Sequence, residues 1–401
     1  MPVTAPPELT VATDRSGPFR FSLGLDTSAV DVRLALARVD DAHSRFLRSP
    51  LSQVANAFER EVLVESIHGT NTIEGADLSE QETAAVLELA PEKIRAEREI
   101  RVRNIKAAYD LALREAPSLD WKPTIEFIKG VHAEISRDIE HPDNRPGIIR
   151  DNPRDRITYV GDAAHGGRYK PPQYGNDIRR LLEGLFEWQA ALEAAGVPPL
   201  IRAPLAHLYF EIIHPFWDGN GRVGRVLEAA ILRHAGFRYA PFALSRYYLD
   251  SIDEYFSLFN RCRKAADRRD ADCNVAFVQF HLVGMLTVTD HLHDRVNRMV
   301  EMLIFDANAT NAVETGTINQ RQRAVIRLVR DYGRPLPLET LRSHPSYIAM
   351  YRKLTTKTQR RDLQSLRDLR FLALDEKRRL WPGFLADDQH DGDLGQSEKS
   401  K

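Results

Sequence analysis

His214-Pro215-Phe216-Trp217-Asp218-Gly219-Asn220-Gly221-Arg222-Val223-Gly224-Arg225 is the stretch on which the reading of this chain turns. Pro215 disfavours the α conformation at the residue before it, so a helix ending at Ile213 stops at His214. Gly219 and Gly221 allow left-handed dihedrals and let backbone come close to a ligand. A new helix begins at about Asn220, and its first N–H groups, unpartnered within the helix, point into the turn as an anion site. Arg222 and Arg225 lie three apart and share a helix face. Two guanidiniums beside a free helix N-terminus call for a ligand with several negative charges, such as a di- or triphosphate. Asp218 alone would repel that ligand. It makes sense holding Mg2+, which bridges phosphate oxygens. His214 supplies a group that titrates near neutral pH and is suited to general-base work. The parts add up to phosphoryl or nucleotidyl transfer to a hydroxyl.

Outward from this loop the chain is mostly helical. Residues 177–195 and 200–213 read as helices, and residues 121–140 as an amphipathic helix closed by the turn signal His141-Pro142-Asp143-Asn144-Arg145-Pro146-Gly147. Ile148-Ile149-Arg150 and Ile157-Thr158-Tyr159-Val160 have strand character and predict a β-hairpin. Residues 1–30 read as a partly extended arm. Helices follow from about Ser28, over 51–68 and over 78–116, with Gly69 leaving the limits of one of them open. Residues 251–306 read as all helical, the small and polar stretch 307–316 as a linker, and the Asp-, Gly- and Ser-rich tail 386–401 as disordered. The division is therefore an N-terminal arm and helical region (1–116), a core with its following helices (117–306), a linker, a basic domain (317–385) and the tail.

The 401 residues are 43% hydrophobic and 28% charged, which fits a globular protein and excludes a collagenous, coiled-coil or wholly disordered chain. With 56 Lys and Arg against 57 Asp and Glu the net charge is −1, so whole-molecule charge implies no polyanionic partner. The distribution is uneven: residues 317–385 hold 16 Lys or Arg and 6 Asp or Glu, about +10, which leaves about −11 for the rest. Cys262 and Cys273 cannot form a disulfide framework or a four-thiolate zinc site, and they read as inert reduced thiols of a cytoplasmic protein. No signal peptide and no stretch of ~20 apolar residues is visible, so no membrane partner is expected.

The loop resembles the signature of Fic-domain proteins, His-(any)-Phe-(any)-Asp/Glu-Gly-Asn-Gly-Arg-(any)-(any)-Arg, with no mismatch at a fixed position. The resemblance spans about residues 120–260. It implies a mainly α fold, a Fic helical core with a β-hairpin flap, and transfer of AMP from ATP to a Ser, Thr or Tyr hydroxyl of a protein. By that resemblance His214 deprotonates the target hydroxyl, Phe216 packs beneath the loop and Asp218 holds Mg2+ on the α- and β-phosphates. Gly219, Asn220 and Gly221 cradle phosphates, Arg222 grips the β-phosphate and Arg225 the γ-phosphate. The flap aligns the target segment, and Gly147, Ile148 and Arg150 fit its approach. Thr70-Asn71-Thr72-Ile73-Glu74-Gly75 is similar to the family's N-terminal inhibitory pattern, which implies that Glu74 pairs with Arg225 and blocks productive ATP by charge and occupancy. The same residues also read as a helix end with a glycine cap. In some relatives that glutamate helps water remove AMP.

Residues 318–384 fit three short helices and a hairpin, an arrangement that looks like a winged helix–turn–helix. Two readings stand for it: DNA contact by Lys357, Arg360 and Arg361 with a wing at Lys377–Arg379, or a protein-docking module with a solvated basic face. His207, seven before His214, either supports the site or is a buried structural histidine. Tyr247 and Tyr248 either line an adenine pocket or pack in the core. The donor is ATP, with UTP, GTP or CDP-choline as alternatives. A DNA-binding regulator whose core only senses nucleotide is the rival from another class. A homodimer is the default assembly.

Overall fold

The structure, a computed structural model, describes residues 7–385; the tail 386–401, expected to be disordered, lies outside them. The chain divides into two compact units, Met1–Asp294 and Arg295–Lys401.

In the first unit the N-terminal arm is not loose. β1 (Leu9–Val11) and β2 (Phe19–Phe21) pair antiparallel with Leu9 opposite Phe21 and Val11 opposite Phe19. Phe21 is fully buried, 5.8 Å from the Trp188 ring and 5.2 Å from the Tyr209 ring. Aromatic burial of this kind holds a two-stranded ribbon that would not persist alone. The helices follow in order: α1 (Val30–Arg48), α2 (Ala55–Ile73), α3 (Glu80–Leu87), α4 (Glu97–Glu115), α5 (Ile125–Ser136), α6 (Gly175–Ala194), α7 (Pro199–Ile213), α8 (Asn220–His234), α9 (Ala240–Asp250), α10 (Ile252–Asp267) and α11 (Val275–Glu314). Ser79 starts α3 with a full capping box to Glu82, and the Thr124 hydroxyl accepts the Phe127 N–H at the start of α5. α7 is apolar on all sides and almost wholly buried, which makes it the centre of the unit, packed between α6 and α8.

Gly69 does not break its helix. α2 runs through it, because a Cβ there would lie 3.0 Å from the backbone carbonyl of Ser245 on α9, and only glycine permits that approach. The hairpin expected from 148–150 and 157–160 takes another form. Residues 148–150 are not a strand, and the chain pairs back on itself through one antiparallel bridge, Val160 with Tyr169. Side chains do the rest: Asn152 donates to Thr158 and to Gln173, each at 2.8 Å. The helical reading of 251–306 is interrupted at 268–274, where Arg269 takes a left-handed φ of 59°.

The stretch 307–316, expected to be a linker, is helical as far as Glu314. Alanine explains this: it is the best helix former, and Ala309 and Ala312 are buried in the core of the second unit. The division between the units falls earlier, inside α11. That helix contains an 18-residue window with a mean hydropathy of 1.2, enough to cross a membrane by length and composition, and 56% of the window is buried within the protein.

The second unit continues with α12 (Gln320–Asp331), β3 (Leu336–Pro337), α13 (Leu338–Ser343), α14 (Pro345–Tyr351), α15 (Thr356–Asp368), β4 (Leu372–Leu374) and β5 (Arg379–Pro382). The sheet order is β3-β5-β4, all antiparallel. α14 and β3 go beyond the three helices and hairpin read from sequence. The Thr355 hydroxyl caps α15 by accepting the Thr358 N–H. Val325, Val329, Leu341 and Leu366 form its core, and the buried Asp362 carboxylate is held by Arg321 at 2.7 Å and the Tyr351 hydroxyl at 3.0 Å.

The seat of the N-terminal hairpin is Gly184 on α6, where an added Cβ would come within 2.4 Å of the Val11 side chain. Gly184→Val should therefore destabilise the protein by about 1–3 kcal/mol through overpacking. Calorimetry checks this as a lowered melting temperature, and an unchanged transition would mean that the hairpin is not seated on α6.

Candidate active site

Each end of the 214–225 loop is fixed by its own contacts. His214 ends α7 in the left-handed region (φ 52°, ψ 65°), with its N–H on the Phe210 carbonyl at 2.9 Å. Arg150, fully buried, clamps this bend: its Nε donates to the His214 carbonyl at 2.6 Å, and its backbone N–H to the Pro215 carbonyl at 2.9 Å. Phe216 is fully buried and lies flat on the His132 ring, 3.8 Å between centroids and 6° between planes. His132 Nδ1 accepts the Gly147 N–H at 2.9 Å, so Nε2 carries the proton and donates to the Asp218 carbonyl at 3.1 Å. Asn220 closes the turn from inside. Its Oδ1 accepts the Phe216 N–H and its Nδ2 donates to the Phe216 carbonyl, both at 2.9 Å. The Asn220 side chain, expected in a phosphate cradle, is committed to that closure and 2% exposed. Of the two glycines, Gly221 at the start of α8 lines the cavity, whereas Gly219, at φ 76°, is buried beside Ile135 and His132.

Arg222 and Arg225 take separate partners. Arg222 donates to Asp218 Oδ2 at 3.0 Å. Burial opposes the Asp218 charge, but Arg222, the Gly219 N–H and Arg101 together outweigh it and hold the carboxyl below its ordinary range. Arg225 Nε donates to the Thr70 hydroxyl at 2.8 Å, one terminal nitrogen reaches Glu74 Oε1 at 2.7 Å, and the other the Tyr255 hydroxyl at 3.3 Å. Glu74 is the C-cap of α2, and Gly75 beyond it, at φ 86°, ends the helix. The inhibitory-pattern glutamate and the last loop arginine are thus in contact, over a glycine that makes room: a Cβ on Gly221 would lie 2.3 Å from Glu74 Oε1.

Behind Arg225 runs a buried chain of hydrogen bonds. Tyr255 passes its proton-donating bond to His207 Nε2 at 3.1 Å, and His207 Nδ1 faces Glu228 Oε2 at 3.0 Å. Glu228 also accepts from the Tyr248 hydroxyl at 3.0 Å and meets His281 at 2.8 Å. Burial opposes its charge, but His207 and His281 outweigh that and keep it ionised well below the usual carboxylate range. His207 is therefore both buried and linked to the site. Tyr248 belongs to the core network, and Tyr247 packs against Gly284.

His214, Glu74, Gly221, Arg225, Tyr255 and Asn260 line one cavity of about 290 Å3. The sequence reading missed Arg150's clamp, His132, Tyr255 and Glu211. Only Arg150 left a trace, as a flap residue. Burial and the Arg150 cation push the His214 imidazole down to about 3, so it is neutral across the physiological range. Glu211 lies 3.8 Å from His214 Nδ1, and burial followed by the nearby Glu74 pushes its carboxyl up to about 8. Lys357, Arg360 and Arg361 are exposed on α15 in the second unit.

The folded chain thus retains a proton on Glu211 that the unfolded chain releases above its ordinary value of 4.5. Stability attributable to this group is full below that value and lost as pH rises toward about 8. Glu211→Gln should remove the loss. Denaturant titrations of parent and variant at the two ends of this window check it: the variant gains on the parent as pH rises, and parallel behaviour would show the group is not buried as described.

Residues 122–232 match the Fic/DOC family. The chain is 29% identical over 215 residues to protein adenylyltransferase fic-1 of Caenorhabditis elegans, covering 52% of this chain and 39% of that protein. It is 25% identical over 230 residues to protein adenylyltransferase Fic of Aedes aegypti, covering 57% and 41%. The chain thus spans about two fifths of the length of these curated relatives. Among solved structures it is similar in fold to a Fic family protein from Desulfovibrio desulfuricans, with a TM-score of 0.54, 19% identity, and 89% and 97% of the two chains covered. A segment of C. elegans Fic-1 gives a TM-score of 0.52 at 22% identity, covering 67% and 73%. The motif read from the residues, the geometry that closes it and these likenesses agree on one region, residues 122–232, which is similar to the Fic/DOC family.

Proposed function

We propose that this protein transfers AMP from ATP to a Ser, Thr or Tyr hydroxyl of a protein, itself included, and that Glu74 restrains the reaction. The observation that carries the reading is the convergence of His214, Gly221 and Arg225 on one cavity at the start of α8, in a domain whose relatives bear the name protein adenylyltransferase. The neutral His214 imidazole accepts the hydroxyl proton as that oxygen attacks the α-phosphorus. The bond from the α-phosphorus to the bridging oxygen breaks, and pyrophosphate leaves. Arg222, Arg225 and the first N–H groups of α8 balance the charge on the departing phosphates.

Asp218 fits the metal expected here. Its carboxylate is ionised and 59% exposed at the rim, suited to Mg2+ shared between one carboxylate and the phosphates. Among the described residues no group of three or more acidic, His or Cys side chains converges as an all-protein cage. When bound, the ion would neutralise phosphate charge.

Glu74 occupies the guanidinium on which the γ-phosphate would otherwise rest. An ion-paired hydrogen bond of this kind is worth about 1.5–3 kcal/mol, so its removal frees Arg225 for the nucleotide. In assays with labelled ATP, His214→Ala should lower transfer by at least about 100-fold. Transfer at the parent rate would end the mechanism. Glu74→Gly should raise transfer by roughly tenfold or more. A fall would make Glu74 a structural or catalytic residue instead. Offering UTP, GTP and CDP-choline beside ATP to this variant identifies the donor from the mass added to the acceptor.

A further inference from the structure

A second and larger cleft, of about 910 Å3, shares a wall with the nucleotide cavity. The wall is Tyr169, which lines both and whose hydroxyl donates to the Glu211 carbonyl at 2.9 Å, three residues before His214. The floor of the second cleft is apolar, with Phe19, Leu181 and Ile212, and Tyr174 stands at its side. Its rim is cationic: Arg15, Arg154, Lys170 and Arg263 against one carboxylate, Asp267.

The rim is a built feature. The Asp177 carboxylate, 1% exposed, accepts the backbone N–H groups of Asp14, Arg15 and Ser16 at 2.9, 3.1 and 2.9 Å, and the Ser16 hydroxyl at 2.7 Å. The loop is pinned, and the Arg15 guanidinium sits 4.6 Å from the Tyr174 ring centre. Arg263 sits 4.9 Å from the Tyr169 ring centre and pairs with Asp267 at 2.7 Å. Arg154 and Lys170 are exposed and enter no ion pair among the described residues. This positive rim stands in a part of the chain whose summed charge is negative, since residues outside 317–385 total about −11.

We propose that this cleft holds an acidic, extended segment of the protein that receives AMP, and so selects hydroxyls flanked by Asp or Glu. The inference rests on the transferase reading and gives its acceptor a chemical class. An apolar floor takes side chains of an extended segment, and the unpaired rim cations Arg154 and Lys170 take its carboxylates. A polynucleotide suits the cleft less, because guanidiniums already cover the Tyr169 and Tyr174 rings on which bases would stack.

The test uses the full chain carrying Glu74→Gly. The probes are a fluorescein-labelled peptide with one tyrosine among glutamates, its lysine counterpart and a labelled oligothymidylate, each followed by anisotropy. The glutamate peptide should bind, more weakly as salt rises, and lose at least about tenfold in affinity with Arg154→Glu and Lys170→Glu combined. Binding no tighter than the lysine peptide or the oligothymidylate, or binding untouched by the double reversal, overturns the proposal. Arg154→Ser with Lys170→Ser repeats the test should the reversal lower the melting temperature. Transfer of labelled AMP by the chain to itself, measured alongside, separates the two readings. Its absence with peptide binding intact defeats the transferase, and its presence with no acidic preference defeats only the cleft.

Discussion

The site depends on one polar side chain folded inward. Asn220 returns both of its hydrogen bonds to the backbone of Phe216, four residues earlier, and so closes the turn that joins α7 to α8. Closure presses Phe216 onto His132, and His132 in turn holds the Asp218 carbonyl and the Gly147 N–H. A buried amide with both ends satisfied contributes stability, whereas one left unpaired would cost about 1–3 kcal/mol per group. The loop therefore has one favourable geometry. In that geometry His214 and the open N-terminus of α8 face the same cavity, and Arg150 fixes the His214 end from beneath.

From that fixed turn the electrostatics follow. Arg225 is buried and cannot shed its charge, so it must be surrounded by acceptors. Thr70, Tyr255 and Glu74 supply them. Tyr255 can accept from Arg225 because it donates to His207, and His207 can accept at Nε2 because Nδ1 is directed at Glu228. The charge of Glu228, one helical turn past Arg225 on α8, thus fixes the direction of hydrogen bonds up to the guanidinium. Glu74 completes the set from a different helix.

Most of this was legible where local chemistry decides the outcome. The Gly219 turn, the stop at Ile213 and the start of α8 follow from residue types alone, as does the glycine that ends α2 after Glu74. Illegible were features set by distant partners. Gly69 reads as a helix breaker until Ser245 of α9 is seen against it. Residues 307–314 read as a linker because their small side chains suit either a loop or a helix, and only burial of Ala309 and Ala312 decides. The strand character of 148–150 reflects a different demand: Ile149 and Arg150 are buried by the loop they support rather than paired in a sheet. His132 carries no local signal, since its role exists only once Gly147 and Asp218 are brought to its two nitrogens.

Gly221 and Gly224 of α8 show how sequence and site constrain each other. A Cβ on Gly221 would meet the Glu74 carboxylate, and one on Gly224 would come within 2.7 Å of Glu211 and of His207. Each glycine lowers helix propensity by about 1 kcal/mol relative to alanine, so both are retained against local preference. The room they leave is filled by two carboxyls from different elements, one paired with Arg225 and the other pushed toward its neutral form beside His214. Two charged carboxylates this close would repel each other, and ionising one raises the cost of ionising the other. Whatever displaces Glu74 from Arg225 therefore also changes the field at Glu211, and through it the surroundings of the imidazole. The inward face of α8 couples the arginine's partner to the His214 imidazole with no moving part beyond one glutamate side chain.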